Sequence, residues 1–128
     1  MKKYIGTQQV DAESMTMEEA YKRNLLQKNK VPNDLEKDNP GFYVKYQDDY
    51  ESWLPAETFC KIYKIADTPL ERMIIEHQEL RDKINKLEKF LSSEGFDSLN
   101  YKMQTLLDMQ HRIMIEYSLI LKEKIENI

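Results

Sequence analysis

Four arginines are the residues of this 128-residue chain best suited to binding a phosphate: Arg23, Arg72, Arg81 and Arg112. A planar guanidinium can donate to two oxygens of one phosphate group, which a lysine ammonium cannot do in the same fixed geometry. Arg72 and Arg112 each adjoin an apolar residue of a helical repeat, where the stem can lie along apolar surface and present the charged end. The alternative for each arginine is solvated surface charge.

Motifs of catalysis are missing from the sequence. His77 and His111 form no HExxH and the single Cys60 no CxxC, so the spacing predicts no zinc site. Three glycines cannot form a dinucleotide-binding or phosphate-binding loop. We expect Cys60 to be a small core residue of a short amphipathic helix, not a nucleophile. The sequence therefore favours a protein that is not an enzyme and has no cofactor.

Charge and composition limit the class of protein further. The net charge of −4 and the pI of about 5.3 lack the basic surface that a nucleic-acid polymer requires. One cysteine fits a reducing compartment. No apolar run is long enough to cross a membrane, and the N-terminus lacks the apolar core of a signal peptide. We therefore expect a cytoplasmic protein.

The second half of the chain predicts two long amphipathic helices folded back on each other near Gly95. Thr68 is the expected N-cap of the first helix, Pro69 its first residue and Glu71 the third, as a capping box requires. Gly95 should end this helix in a left-handed conformation. The residues expected to face the second helix recur in steps of four and three: Met73, His77, Leu80, Ile84, Leu87 and Leu91.

The second helix, expected to be capped by Ser98, carries two apolar stripes. The predicted seam with the first helix is Leu99, Met103, Leu106, Gln110, Ile113, Tyr117, Ile120 and Lys124. The surplus stripe is Leu107, Met114, Leu121 and Ile128. Two helices cannot bury both stripes, so we expect the surplus to contact the N-terminal unit or other copies of the chain, which favours a homo-oligomer. The polar seam residues His77, Gln110 and Lys124 either fix the register or line a pocket between subunits.

The first half of the chain predicts a mixture of short elements. A strand is expected within residues 2–13, a helix over 16–28, a β-hairpin that turns at Asp48-Asp49, and a short helix from Pro55. The expected fold class is α+β: a small antiparallel β-sheet with short helices, followed by a long antiparallel α-helical hairpin. We expect two domains, a small α+β unit over residues 1–66 and the helical hairpin over 67–128, which would carry oligomerisation and a ligand pocket.

Two segments resemble known phage proteins. MKKYIGTQQVDAESMT and GFYVKYQDDYESWLPAETFCKIY are similar to a phage N-terminal module with the pattern KYIGT, PMT and GYxVxYxDGYxSWxP. PLERMIIEHQELRDKINKLEKFLSSEGFDSLN and LLDMQHRIMIEYSLILKEKI are similar to the helical hairpin of phage anti-CBASS sponges. In this order the two segments resemble the Thoeris anti-defence protein 1 family.

The resemblance implies a dimer or hexamer that sequesters a cyclic ADP-ribose isomer made by bacterial TIR proteins and leaves it uncleaved. Some members also hold cyclic oligonucleotides from CBASS. It implies ligand-binding roles for Phe90, in the KLxxF motif, and for Asn100, with Arg72 and Arg23 as further candidates. Arg112 is a candidate from its place beside the helical seam. The host cytoplasm of an infected bacterium would be the location. The alternatives are a protein–protein adaptor that docks a host helix on the surplus stripe, and an enzyme that degrades the messenger.

Overall fold

A computed structural model describes all residues from Met1 to Ile128, which divide into two compact units, Met1–Tyr63 and Lys64–Ile128. The first unit contains β1 (Asp11–Ser14), α1 (Met17–Lys22), β2 (Gly41–Lys45), β3 (Glu51–Pro55) and α2 (Ala56–Ile62). The second contains α3 (Pro69–Leu91), α4 (Glu94–Asp97) and α5 (Tyr101–Glu126). A three-stranded antiparallel sheet, short helices and a long helical hairpin confirm the predicted α+β class.

The sheet of the first unit is a meander in the order β1-β2-β3. Its β2–β3 hairpin turns where the sequence predicts, because Asp49 adopts a left-handed φ of 65° and the Asp48 carboxylate accepts from the Tyr50 N–H at 3.1 Å. The register pairs Tyr43 with Trp53, so that successive residues alternate between the two faces of the sheet.

Each face of this sheet packs against a different helix. On one face Trp53 is buried with Met15 and Ala20, and its indole Nε1–H donates to the Met15 carbonyl at 2.8 Å. A Cβ at Gly41 would lie 2.2 Å from the Trp53 ring, so only glycine permits this approach. On the other face the Phe42 ring stacks on Phe59 of α2 at 4.1 Å.

Three sequence predictions for the first unit need correction. The strand predicted within residues 2–13 forms only from Asp11, because Asp11 pairs with Lys45, the last residue of β2, and no strand lies beyond it. The helix predicted over 16–28 begins as expected after its Thr16 cap but ends at Lys22, since Asn24 adopts a left-handed φ of 58°. Cys60 is exposed, not part of a core.

The ends of the helices in the second unit follow local capping chemistry. The Thr68–Glu71 capping box forms as predicted, with Thr68 Oγ1 accepting from the Glu71 N–H at 3.2 Å. Gly95 does not adopt a left-handed conformation; it lies inside α4, which the Ser93 hydroxyl caps. Asn100, not Ser98, caps α5, accepting from the Met103 N–H at 2.8 Å. The hairpin is therefore connected by a short helix instead of a glycine turn.

The seam between α3 and α5 confirms the predicted stripe of α3 and contradicts that of α5. Ile84 of α3 is buried, and the rest of its predicted seam is half-buried. On α5 the side chains that meet α3 belong to the predicted surplus stripe, where Leu121 is only 1% exposed and Leu107 and Met114 are half-buried; its last member, Ile128, lies beyond the helix and is 66% exposed. Most of the predicted α5 seam is exposed instead: Met103, Leu106, Ile113, Tyr117 and Ile120 are 40–60% exposed, and Leu99, which precedes the helix, is half-buried.

Polar side chains explain this choice between two stripes of equal period. His111 and Ser118, which flank the buried stripe, reach α3 side chains: His111 Nε2 lies 2.9 Å from Glu88 Oε1, and Ser118 Oγ lies 3.2 Å from His77 Nε2. A seam centred on the other stripe would leave both pairs apart. None of the five helices combines the length and the apolar composition that crossing a bilayer requires.

Candidate functional site

The connection end of the hairpin, where α3 ends and α5 begins, presents an aromatic ring and an amide. Phe90 lies in the last turn of α3, is 38% exposed, and packs edge to face against Phe96 with ring centroids 6.4 Å apart. Gly95 leaves room for this ring, since a Cβ there would lie 3.1 Å from it. The edge contact fixes the ring while part of its surface stays open, which is the condition for stacking on a flat ligand.

Asn100 joins the same end as the N-cap of α5. Its Oδ1 is fixed by the Met103 N–H, which orients the side-chain amide. The Nδ2 group donates to no protein acceptor and remains available to a ligand. The cap therefore positions a hydrogen-bond donor at the surface, and the side chain serves the helix and a ligand with different atoms.

Arg72 lies at the open end of the hairpin, where α3 begins and α5 ends. Its Nη1 donates to the Ala66 and Asp67 carbonyls at 2.9 and 3.1 Å, so part of the guanidinium ties down the chain that enters α3. Phe90 lies about 27 Å further along α3, at 1.5 Å per residue. One chain therefore does not bring Arg72 and Phe90 into one pocket.

The other two predicted arginines also lie away from the connection end or in the other unit. Arg112 is exposed, forms no ion pair, and lies about 18 Å along α5 from Asn100. Arg23 belongs to the first unit, where its guanidinium carbon lies 4.6 Å from the Tyr43 ring centroid and Nη1 lies 3.8 Å from Glu13 Oε1. Arg23 is thus already engaged by a ring and a carboxylate.

A shallow groove on one side of the hairpin was missed by reasoning from the sequence. Arg81 and Asn85 of α3 line it with Ser118, Ile115 and Leu119 of α5, around a volume of about 230 Å³. Arg81 forms no ion pair, and no carboxylate stands three or four residues from it on α3. Arg81 is one of the four arginines that the sequence offers for a phosphate, and this absence of a carboxylate is the signal that could have distinguished it from the others.

The polar residues of the predicted seams divide into two groups. His77 is half-buried and meets Ser118 across the hairpin, which fits a role in register. Gln110 and Lys124 are exposed on the other apolar stripe of α5, which lies beside the seam. Tyr117 on that stripe donates from its hydroxyl to Glu76, and this hydrogen bond, with some desolvation, raises the pKa of the Tyr117 phenol.

The second unit presents side chains suited to contacting a ligand. The side chains at its connection end offer stacking and an amide donor, and arginines and lysines line its surface. The structure contains no group of three or more His, Cys, Asp and Glu side chains that could hold a metal ion. Ser118 Oγ lies 3.2 Å from His77 Nε2, and no carboxylate is hydrogen-bonded to that imidazole to orient it as a base.

Comparison with known proteins gave one finding, and it concerns this hairpin. Residues 67–127 match the model of the Sequestin family, and this range contains all of α3, α4 and α5. No curated protein and no solved structure matched the chain. The hairpin is therefore similar to a family of sequestering proteins, which agrees with the binding of a small molecule.

Proposed function

We propose that this protein is a phage anti-defence protein that sequesters a nucleotide immune second messenger without cleaving it. The match of residues 67–127 to the Sequestin family carries the proposal. The resemblance of both halves of the chain to Thoeris anti-defence protein 1 supports the ligand class, a cyclic ADP-ribose isomer made by TIR proteins. CBASS cyclic oligonucleotides are a second ligand class, and the host cytoplasm is the place of action.

The side chains at the connection end support a nucleotide ligand. The open part of the Phe90 ring can stack on adenine, because every base offers a π-face and such stacking contributes about 1–3 kcal/mol per base. The Asn100 Nδ2 group can donate to a base or ribose oxygen. Arg72 and Arg112 remain candidates for the phosphates, although neither lies at this end in one chain.

A protein that only sequesters its ligand needs no catalytic group. A sponge lowers the free concentration of the messenger in proportion to its own concentration and affinity, and slow release maintains the effect. We therefore propose that the ligand leaves the protein chemically unchanged.

Isothermal titration with cyclic ADP-ribose isomers, cyclic dinucleotides and cyclic trinucleotides tests the proposal. We expect at least one to bind, and mass spectrometry after heat denaturation should recover it intact. If none of these ligands binds, the proposal that the protein is a sponge is wrong. If a cleaved product is recovered, the protein is an enzyme.

A matched pair of substitutions separates ligand contact from helix capping. Asn100→Ser keeps a side-chain oxygen at the N-cap and removes the amide donor, so the melting temperature should hardly change while affinity falls about tenfold. Asn100→Ala should lower both, because the cap contributes about 1 kcal/mol. If Asn100→Ser and the native chain bound the ligand with equal affinity, Asn100 would not belong to the ligand site.

A protein–protein adaptor is the second candidate, favoured by the exposed apolar stripe of α5. Leu107, Met114 and Leu121 of the surplus stripe that first suggested an adaptor pack against α3, so the docking surface would have to be the exposed stripe. We instead propose that the chain associates with itself. Light scattering separates the two: a closed homo-oligomer supports the sponge, and a monomer supports the adaptor.

A further inference from the structure

Arg81 lies in the groove that the two long helices form on one side of the hairpin, with Asn85 and Ser118 beside it. We propose that this groove binds the phosphate group of a small phosphate monoester, at a site distinct from the connection end. The site goes beyond the sponge function, since it uses neither Phe90 nor Asn100. It can be tested whether or not a messenger binds.

The charge of Arg81 has no partner within the chain. Its side chain is exposed and takes part in none of the ion pairs. The other side chains that line the groove are uncharged. Glu88 lies further along α3, and its Oε1 is already 2.9 Å from His111 Nε2. The guanidinium is therefore free to pair with an anion from outside the chain.

Two further hydrogen-bond donors reach the groove, one from each helix. Asn85 lies one turn beyond Arg81 on α3, about 6 Å along the axis, and its side-chain amide is exposed. Ser118 approaches from α5, and its Oγ lies 3.2 Å from His77 Nε2. In the tautomer with the proton on Nε2, His77 donates to the Ser118 oxygen, which leaves the serine hydroxyl hydrogen for a ligand.

Donors on two sides of a groove favour a tetrahedral oxyanion over a planar one. A carboxylate has two oxygens, and the fork of Arg81 can take both. A phosphate monoester has three oxygens besides the ester oxygen, so one remains for Asn85 or Ser118. The volume of about 230 Å³, against about 30 Å³ for one water, leaves room for the organic part of the ester, which can lie on Ile115 and Leu119.

Arg81 and Phe90 point to opposite sides of α3. Nine residues separate them, which is two and a half turns at 3.6 residues per turn and about 14 Å along the axis. A small ligand held by Arg81 in the groove therefore does not stack on Phe90. The groove and the connection end are two sites that can be occupied independently.

Phenyl phosphate and benzoate, which share a ring and differ in the anion, are matched probes of the groove. In titrations of the ¹⁵N-labelled chain followed by NMR, phenyl phosphate should shift the Arg81 Nε–H, the Asn85 side-chain amide and the Ser118 N–H until they saturate. Benzoate should bind at least about threefold more weakly, since it lacks the third oxygen. If these three signals do not saturate, or if benzoate binds as tightly, the phosphate site is overturned.

Substitutions at two lysine or arginine positions of α3 test the role of Arg81. Arg81→Gln should weaken phenyl phosphate binding about tenfold or more, and Arg81→Lys, which keeps the charge and loses the fork, about threefold. Lys83→Gln removes the same charge from an exposed residue that does not line the groove, and should change affinity less than about twofold. Circular dichroism checks that all three variants stay helical. Equal losses from Arg81→Gln and Lys83→Gln would contradict the proposal.

Phe90→Ala tests whether the groove is separate from the connection end. This variant should bind phenyl phosphate as the native chain does and should lose affinity for the cyclic ADP-ribose isomers. If Phe90→Ala weakens phenyl phosphate binding as much as Arg81→Gln does, the two sites are one and the proposal is wrong. A native chain that binds phenyl phosphate but no cyclic ADP-ribose isomer would contradict the sponge and support the groove.

Discussion

Two faces of α5 have the same apolar spacing and differ in what covers them. The inner face is Leu107, Met114 and Leu121, and the outer face is Met103, Leu106, Ile113, Tyr117 and Ile120. The inner face packs on α3, and its Leu121 is 1% exposed. The outer face is similarly apolar, yet its Ile120, the neighbour of Leu121 in the chain, is 56% exposed. The spacing of apolar residues indicates that a helix face will be buried. The side chains that border this face determine which surface packs against it.

Different polar and charged side chains lie beside the two faces, and this difference explains what each face contacts. His111 and Ser118 lie beside the inner face, and each contacts a side chain of α3 in the same chain. Beside the outer face stand Lys102 and Glu123, which find no opposite charge in their own chain. We infer that the polar contacts of His111 and Ser118 help to select the inner face as the intramolecular seam.

The largest expected effect comes from truncating one leucine on the inner face. Leu121→Ala should lower the free energy of unfolding by about 2–5 kcal/mol, because it leaves a cavity in a seam with few buried side chains. Ile120→Ala should change it by less than about 0.5 kcal/mol. Urea unfolding followed by circular dichroism measures both, in an Ile113→Glu background. A charge on the exposed stripe should keep the chain monomeric, which light scattering checks.

Equal losses from these two alanine variants would contradict the assignment of the faces. A larger loss for Ile120→Ala would mean that the stripe expected from the sequence is the true seam. In the native background Ile120→Ala should instead weaken the dimer, which a dilution series in light scattering detects.

A smaller effect is expected from the polar members of the two faces. His111→Ala removes the contact with Glu88 and should lower the free energy of unfolding by about 1 kcal/mol. Gln110→Ala, one residue earlier and exposed, should leave it unchanged in the monomeric background. The same urea titration serves, and a His111→Ala variant as stable as the native chain would show that the hydrogen bond does not help to select the inner face.

Local chemistry was predictable from the sequence, and the choice among equivalent surfaces was not. The Thr68–Glu71 box and the Asp48-Asp49 turn depend on residues within four positions, so the sequence predicts them correctly. Gly95 was misread because Ser93 begins a new helical turn before the glycine is needed. The α5 seam was misread because the two stripes have the same period, and the contacts beside the buried one, His111 with Glu88 and Ser118 with His77, span 23 and 41 residues.

In the candidate site, too, some features were predictable from the sequence and others were not. Phe90 and Asn100 were predicted from resemblance, and the structure places both at the connection end, while their role in binding remains a prediction. Arg72 could not be placed from the sequence, because its anchor on the Ala66 and Asp67 carbonyls depends on how the chain enters α3. Residues that act together across copies leave no trace in the spacing of one chain.

The smallest expected effect concerns Tyr117, which belongs to the outer face but hydrogen-bonds to Glu76 of α3. The bond to Glu76 raises the pKa of the phenol above its usual value near 10. Folding therefore favours the neutral phenol: the stabilisation is complete below pH about 10 and is lost as the pH rises through the raised pKa. Tyr117→Phe should remove this alkaline component of the unfolding free energy and leave the rest of the pH profile in place.

Thermal unfolding of both chains between pH 8 and 11, in the Ile113→Glu background, measures this difference. The native and Tyr117→Phe curves should differ by a constant amount at pH 8 to 9 and converge above pH 10. Curves that stay parallel to pH 11 would mean that the phenol is free of Glu76 in solution. In that case no hydrogen bond would join the outer face to α3, and its separation from the inner face would be complete.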